Sequence, residues 1–456
     1  MAKRSDRSRS DHHPVHRPLH SQRALVIAVQ RPEQPDAEVS RSLGELVRLA
    51  GSLGIHVVQR VVQRRLGASA TSLVGEGKLR ELAALTGGPG EVHPGPKAAG
   101  PPSVEPEVPP VVDVVLVDAE LTPGQQRHLG IALGVDVLDR TAIILRVFEL
   151  HARTREAMLQ VEMARLHHEA PRIRDDTGLG DREGGGGRGG RGHSNVELRK
   201  QRHRARIGAL QRELSVVKAQ RAMQRARRQD MRRVALVGYT NAGKSSLMRG
   251  LTGSDVLVED KLFATLGTTI RALQPPANPP ILVADTVGFI EHLPHALIES
   301  FRSTLDEVHE ASLLLFVVDA SDPAFETQLS VTRQVVDELG AAQIPAKVLL
   351  NKIDRLDDLE RAALEEQFPD ALAISAHDPA DVRRLREEVI RFFEGKMTTA
   401  QVCVPYQLAR VFAGLRQELQ VLTEEYGETG ILLTLRASPE VLARLEHRLA
   451  QHEEVA

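Results

Sequence analysis

Apolar residues along this chain fall into short runs with two periods. Leu25–Val29 reads as a buried strand, Val39–Leu53 repeats at helical spacing, and Ile55–Val62 is strand-like again. Gly75-Glu76-Gly77-Lys78 opens a short helix ending near Leu85. Val111–Val117 is a further strand, Pro123–Leu133 a helix and Val135–Leu138 a short strand. Alternation of this kind builds a small, mostly parallel α/β layer. From Thr141 the period is helical. Ile144, Val147, Phe148, Leu150, Leu159, Met163 and Leu166 follow one another at helical intervals, and Pro171 closes that helix. A second helix carries Ile207, Leu210, Leu214 and Val217 spaced 3-4-3, a seam that predicts an antiparallel hairpin with its predecessor.

The stretches between these runs divide the chain. Residues 1–22 are polar and read as a tail, with a nucleic-acid-binding arm as the functional alternative. Residues 87–110 hold eight of the 25 prolines, so no regular element fits there and a surface insertion is expected. Residues 178–192 contain nine glycines interspersed with Arg182, Arg188 and Arg191, which suits the tip of the hairpin. The predicted organisation is a tail (1–22), an N-terminal α/β domain (23–140), a helical hairpin (141–231), a larger α/β domain (232–395) and a small α/β C-terminal domain (396–456).

Composition narrows the function. At 456 residues and 41% hydrophobic, the chain is long enough for about three cores. A net charge of −2 gives no global reason to bind a polyanion. The single cysteine, Cys403, excludes a disulfide framework and a cysteine-built zinc site. No run of eighteen apolar residues offers a membrane span, and the first 22 residues lack the apolar centre of a secretory signal. A soluble, intracellular protein is expected. The exception to electrical neutrality is local. Between Val196 and Arg233 there are thirteen Lys/Arg and three Asp/Glu, a balance of +10 on one helix. Such a helix is either a solvated outer face or a surface for a phosphate backbone, where released counterions drive binding.

The chemistry-bearing segment follows that helix. Val234–Val237 is a strand, and Gly238-Tyr239-Thr240-Asn241-Ala242-Gly243-Lys244-Ser245 is a glycine loop that opens a helix. This spacing, in this strand–loop–helix context, matches a P-loop. Small residues let backbone N–H groups turn inward around phosphate oxygens, and the helix N-terminus adds positive potential. Lys244 is placed to reach the terminal phosphates, and the Ser245 hydroxyl to ligate Mg²⁺.

Two more strands end in polar turns. Ile281–Ala284 leads to Asp285-Thr286-Val287-Gly288, where the acid can hold Mg²⁺ through water and the Gly288 N–H can sense a γ-phosphate. Lys347–Leu350 leads to Asn351-Lys352-Ile353-Asp354. The Asp354 carboxylate can accept N–H bonds from N1 and N2 of guanine, Lys352 can lie across the base, and Asn351 can tie the loops together. Ser375-Ala376-His377 then follows a short strand at Ala371–Ile374, placed to offer a backbone N–H to guanine O6. Singly these are ordinary turns. In this order, each after an apolar strand, they specify a GTP site. Between them, Phe263-Ala264-Thr265-Leu266-Gly267-Thr268-Thr269 offers a switch threonine for Mg²⁺, and spacing alone leaves Thr265, Thr268 and Thr269 open.

Two residues bear on rate. Phe289 stands where many GTPases carry the glutamine that orients attacking water, so slow unaided turnover is expected. Asn241 has an amide oxygen that can hold K⁺ beside the phosphates, with a loop-stabilising hydrogen bond as the alternative. Lys244 and Asn241 are therefore the catalytic candidates.

With these motifs in place the chain resembles the HflX family, within the TrmE–Era–Obg group of GTPases. The resemblance rests also on Leu73–Lys78, Glu120–Arg127, Val137–Thr141, the glycine-rich hinge, Asp260–Thr265 and Asp285–Phe289, and it covers most of residues 24–395. Residues 401–450 are similar to the family's small C-terminal domain. The resemblance implies that Thr265, in Phe-Ala-Thr, is the second Mg²⁺ ligand. It further implies a cytoplasmic GTPase, expected to be a monomer, that binds the large ribosomal subunit and its RNA through the basic hairpin and separates stalled ribosomes. The alternative is a nucleotide-gated RNA-binding or ribosome-assembly factor that does not turn over. A tRNA-modifying GTPase would need a reactive C-terminal cysteine motif, whereas Cys403 falls in an apolar strand. The family's Asp-Pro-Thr-Thr-Arg is Gly267-Thr268-Thr269-Ile270-Arg271 here, and its Gly-Pro-Gly-Glu hinge is Gly190-Arg191-Gly192-His193.

Overall fold

The structure, a computed structural model, describes residues 21–65, 73–91, 111–173, 195–226, 231–253, 263, 269–290, 307–408, 412–413 and 416–453. The polar tail, most of the proline-rich insertion and the glycine-arginine loop lie outside the described residues. The chain divides into two compact units, one running to Val147 and the other taking up the chain from Phe148.

The first unit is a four-stranded parallel sheet in the order β2-β1-β3-β4, built from β1 (Arg23–Gln30), β2 (His56–Arg64), β3 (Val114–Val117) and β4 (Asp136–Asp139). Helices α1 (Asp36–Ser52), α2 (Glu76–Thr86) and α3 (Pro123–Leu133) make the crossovers that parallel pairing requires. Leu25 and Ile27 of β1 share a core with Leu79 and Leu82 of α2 and Leu129 and Leu133 of α3. The alternate residues Val26 and Ala28 are also buried, because side chains alternate across a strand and α1 packs against β1 and β2. Both faces being covered explains why β1 and β3 read as unbroken apolar runs. Thr122 and Gln125 form a reciprocal cap at the start of α3.

Beneath the strand ends of this unit lies a buried charge cluster. Arg140, the first residue of α4 (Arg140–His151), pairs with Glu45 of α1 and with Asp118, 2.6 Å away. All three side chains are at most 5% exposed. Burial alone would lower the Arg140 pKa, but the charges of Glu45 and Asp118 outweigh it and raise it. The neighbouring Asp139 accepts the Ala142 N–H at 2.7 Å, fixing the entry into α4.

The second unit contains a helical hairpin, a six-stranded sheet and a three-stranded sheet. The sequence predicts one helix from Thr141 to Pro171, but two are present, α4 and α5 (Arg155–Glu169). Thr154 divides them. Its hydroxyl accepts the Ala157 N–H at 3.2 Å and so starts a new helix instead of continuing the old one. α6 (Asn195–Ala226) packs on α5 through Leu159, Leu166, Leu210 and Leu214, with Met163, Ile207 and Val217 beside them. Arg155 pairs with Glu213, and Glu162 with Arg206, so rising numbers on α5 meet falling numbers on α6. The pair is antiparallel.

The six-stranded sheet has the order β10-β9-β8-β5-β7-β6. Its strands are β5 (Arg232–Gly238), β6 (Thr269–Ala272), β7 (Ile281–Asp285), β8 (Leu313–Asp319), β9 (Ala346–Asn351) and β10 (Leu372–Ala373), and only β6 runs antiparallel to its neighbour. Val234 and Leu236, with Leu313, Leu315 and Val317, face one core that includes Leu247 and Leu251 of α7 (Lys244–Thr252) and Leu385 and Val389 of the helix Pro379–Glu394. Ala235 and Val237, with Leu314, Phe316 and Val318, face the other core, under the helix Phe325–Glu338. The period-two split sandwiches the sheet between helices, so its strand ends are exposed only at the rims. Residues 398–437 form an antiparallel sheet β11-β13-β12 (Thr398–Pro405, Gly430–Ala437 and Gln420–Tyr426), whose Val402, Val404, Leu433 and Leu435 pack with Leu442 and Leu445 of the helix Pro439–Glu453. Cys403 points to the opposite, open face and is exposed rather than buried with its apolar neighbours.

Removing the guanidinium that neutralises two buried carboxylates is expected to be severe. Arg140→Ala should lower the unfolding free energy by about 3–5 kcal/mol. Urea denaturation, with amide exchange localising the loss to residues 23–147, checks this.

Candidate functional site

Because β5, β7, β8 and β9 are parallel neighbours, their C-terminal ends line one rim of the sheet. Leu236 is in register with Asp285, Gly238 with Val317 and Asp319 with Asn351. Polar turns that are far apart in sequence therefore arrive side by side, at the rim where open α/β sheets bind ligands.

The first turn joins β5 to α7. Gly243, the N-cap of α7, has φ 97°, a conformation that glycine adopts without strain. A side chain there would also collide with the Asn351 amide. Asn241, at φ 63°, takes the left-handed conformation that asparagine tolerates. Lys244, 6% exposed, folds back over this turn and donates to the carbonyls of Gly238 (3.0 Å) and Tyr239 (2.8 Å). Burial lowers its pKa to about 8, against the opposing charge of Asp285. Ala242 and Tyr239 are buried, whereas Asn241 is exposed.

The second turn follows β7. The Ser245 hydroxyl donates to Asp285 Oδ2 at 2.8 Å, and Asp285 is fully buried. Thr286 donates its hydroxyl to the Leu236 carbonyl at 2.7 Å, which anchors the turn to β5. Phe289 N–H donates to the Gly238 carbonyl (3.1 Å) and Thr240 N–H to the Phe289 carbonyl (2.8 Å), so this turn is stitched onto the first. A Cβ on Gly288 would sit 2.8 Å from Thr240 Cγ2 and 3.0 Å from Lys244 Nζ, so only glycine fits this crossing. Val287 is buried, and the Phe289 ring is 1% exposed, packed with Ala235, Val237 and Phe316. Ser245 and Asp285 supply a hydroxyl and a carboxylate, hard oxygen donors that fit Mg²⁺ and leave positions for water and phosphate. Among the described residues no cluster of three or more His, Cys, Asp or Glu is present.

The third and fourth turns carry the base-side candidates. Asn351, 1% exposed, donates its amide to the Ala242 carbonyl at 2.8 Å and accepts the Ala376 N–H at 3.0 Å. Lys352, at φ 65°, pairs with Asp319 at 2.6 Å, so its ammonium is held at the end of β8. Ile353 and Asp354 lie in a single 3-10 turn, Ile353–Arg355. Asp354 accepts the Ser375 hydroxyl at 2.6 Å, and this bond holds its carboxyl below the usual range. Ser375 N–H donates to Asp381 at 2.8 Å, and His377 N–H to Ser375 Oγ at 3.3 Å. Sequence reasoning passed over Asp319 and Asp381. Asp319 could have been found, since it ends the apolar strand Leu313–Val318 as Asp285 ends its own.

Of the switch candidates, Ala264, Thr265, Leu266, Gly267 and Thr268 lie outside the described residues. Phe263 is described. It is 2% exposed, and its ring meets Phe148 of α4 edge-on at 4.5 Å between centroids.

A mostly parallel sheet, a glycine loop feeding a helix, and an Asp-x-x-Gly turn beside an Asn-Lys-x-Asp turn define the class of P-loop GTPases. Residues 233–352 match the family described as "50S ribosome-binding GTPase", residues 151–228 a "GTP-binding GTPase Middle Region", and residues 40–91 and 104–149 a "GTP-binding GTPase N-terminal". GTPase HflX of Gluconacetobacter diazotrophicus is 50% identical over 94% of this chain and 98% of its own length. GTPase HflX of Escherichia coli K12 is 35% identical over 89% and 91%. The chain belongs to the GTPase HflX family and is a GTP-hydrolysing enzyme. Among solved structures, a GTP-binding protein from Sulfolobus solfataricus in complex with GDP is 21% identical over 81% of this chain and 99% of its own, with a TM-score of 0.42. No helix among the described residues is long and apolar enough to cross a membrane.

The lowered pKa of Lys244 sets a pH dependence. In the free protein the ammonium is present below pH 8 and lost above it, whereas phosphates placed on Lys244 would hold it protonated. Binding above pH 8 then requires proton uptake, so GTP affinity should fall by up to about tenfold per pH unit as pH rises. Titration with a fluorescent GTP analogue between pH 7 and 9, at fixed ionic strength, measures this. A flat profile would remove Lys244 from the binding reaction.

Proposed function

We propose that GTP lies along this rim with its phosphates in the 238–245 turn and its guanine between Lys352 and the 375–377 turn. The observation that carries the reading is the pair of hydrogen bonds made by Asn351, which ties the turn holding Lys244 to the turns holding Asp354 and Ala376. Backbone N–H groups of the first turn and the Lys244 ammonium bind the phosphates, and entry of the triphosphate draws Lys244 away from the Gly238 and Tyr239 carbonyls. Ser245 and Thr265 would hold Mg²⁺, with Asp285 behind them, and the ion would supply positive charge against the β- and γ-phosphates. The Asn241 amide oxygen would hold K⁺. Asp354, kept ionised by Ser375, accepts from guanine N1 and N2, which an adenine cannot supply.

The reading extends to a ribosomal partner: the enzyme binds the large ribosomal subunit and separates stalled ribosomes in the cytoplasm, as a monomer. Two observations support it. The match of residues 233–352 is to a family described as ribosome-binding. On α6, Arg199, Arg202, Arg212 and Lys218 are exposed and one-signed, while Ile207, Leu210, Leu214 and Val217 turn to α5. Lys and Arg set on a rigid helix suit a phosphate backbone and confer salt-sensitive binding. GTP-bound closure at the rim favours the ribosome-bound conformation, and hydrolysis resets it.

Two measurements test the halves of this proposal separately. Asp354→Asn should lower GTP affinity about 100-fold, the loss of charged hydrogen bonds to the base, and raise affinity for xanthosine triphosphate, whose O2 accepts from the new amide. Unchanged base preference would refute the guanine assignment. In gradient sedimentation with a non-hydrolysable GTP analogue, 70S ribosomes should dissociate with the protein on the large subunit. Intact 70S peaks with no bound protein would sink the ribosomal half and leave the nucleotide half standing.

A further inference from the structure

The residue after Gly288 cannot orient water. The Phe289 ring is 1% exposed within an apolar core, and its backbone is bonded to Gly238 on one side and Thr240 on the other. Something else has to arrange the attacking water, and the structure offers a specific group. Thr240 Oγ1 is buried and has no hydrogen-bond partner among the described residues, in a residue only 6% exposed. Leaving a buried hydroxyl unpaired costs about 1–3 kcal/mol, so its presence in so tight a loop asks for a ligand.

Its location says which one. Thr240 Cγ2 and Lys244 Nζ approach the same point above Gly288, at 2.8 and 3.0 Å. Lys244 and the Gly288 N–H are the two groups proposed above to meet the γ-phosphate, so the Thr240 side chain stands at the reacting end of the triphosphate. A glutamine amide would bring there one acceptor for water and one donor for phosphate. A hydroxyl brings both in a smaller group. As a plain filler of that space valine would serve as well as threonine.

We propose that the Thr240 hydroxyl is the water-positioning group of this GTPase, accepting a hydrogen bond from the attacking water and donating one to a γ-phosphate oxygen. The water oxygen bonds to the γ-phosphorus as the bond to the β–γ bridging oxygen breaks. GDP leaves with that electron pair, and the water's proton passes to the departing inorganic phosphate. Thr240 stays neutral throughout.

The inference rests on the reading of the rim as the GTP site, and the experiment separates the two. Single-turnover hydrolysis and fluorescence binding are measured for the wild type, Thr240→Val, Thr240→Ser and Lys244→Ala. Thr240→Val keeps the shape and should lose about 100-fold in single-turnover rate, the cost of one hydrogen bond made in the transition state. Its affinity for a GTP analogue should stay within about twofold, while aluminium fluoride should no longer tighten binding of GDP, and Thr240→Ser should restore both rate and tightening. Thr240→Ala gives the same comparison if the valine variant does not fold. Wild-type rates in Thr240→Val, or equal losses in the valine and serine variants, overturn the proposal. Lys244→Ala binding and hydrolysing GTP normally would instead overturn the site on which it rests.

Discussion

The Asn351 amide is almost wholly buried, and both of its ends are used: the NH2 reaches the Ala242 carbonyl and the oxygen accepts from Ala376. Three loops, one 109 residues and another 25 residues from Asn351 in sequence, are held at one rim by these two bonds. A buried amide must satisfy both ends or lose about 1–3 kcal/mol for each left open. That requirement ties the geometry of the phosphate turn to that of the base turns. Gly243 has no side chain for the same reason, since the Asn351 amide occupies the space a Cβ would take.

Around this tie the polar groups hold one another in charged and poised states. Lys244 is satisfied by two carbonyls of its own loop, Ser245 by Asp285, Lys352 by Asp319 and Asp354 by Ser375. Burial depresses the Lys244 pKa, whereas the Ser375 hydroxyl depresses that of Asp354. An ammonium short of counter-charge gains more from a phosphate, and a carboxylate that stays ionised accepts two donors at any ordinary pH. The same turns crowd together at Gly288, where backbone, ammonium and the Thr240 side chain come within about van der Waals distance of one point.

Family membership and the hairpin give this rim its larger setting. The basic face of α6 stays exposed because its apolar seam is consumed by α5. Phe263 packs on Phe148 of α4, the helix that precedes α5.

The strands and loops at the rim were legible in the sequence because each apolar run ends in a polar turn of fixed spacing, and both are local properties. Val234–Val237 is apolar at every position because helices cover both faces, so periodicity and burial told one story; the equally apolar strand Leu313–Asp319 beside it went unread. The break at Thr154 was hidden, since a capping hydroxyl competes with an apolar period that runs on unchanged. The place of Asp381 at the rim was hidden as well, because it is set by a bond from the Ser375 N–H and not by any pattern of its own helix. By itself the sequence determined that a glycine loop, an Asp-x-x-Gly turn and an Asn-Lys-x-Asp turn exist, each following a strand. Only the tertiary structure decided that the Phe289 ring is buried and that the Thr240 side chain stands beside Gly288 with its hydroxyl buried and unpaired among the described residues. Those facts depend on parallel strands bringing distant turns into contact, and no local pattern encodes the contact distance between them.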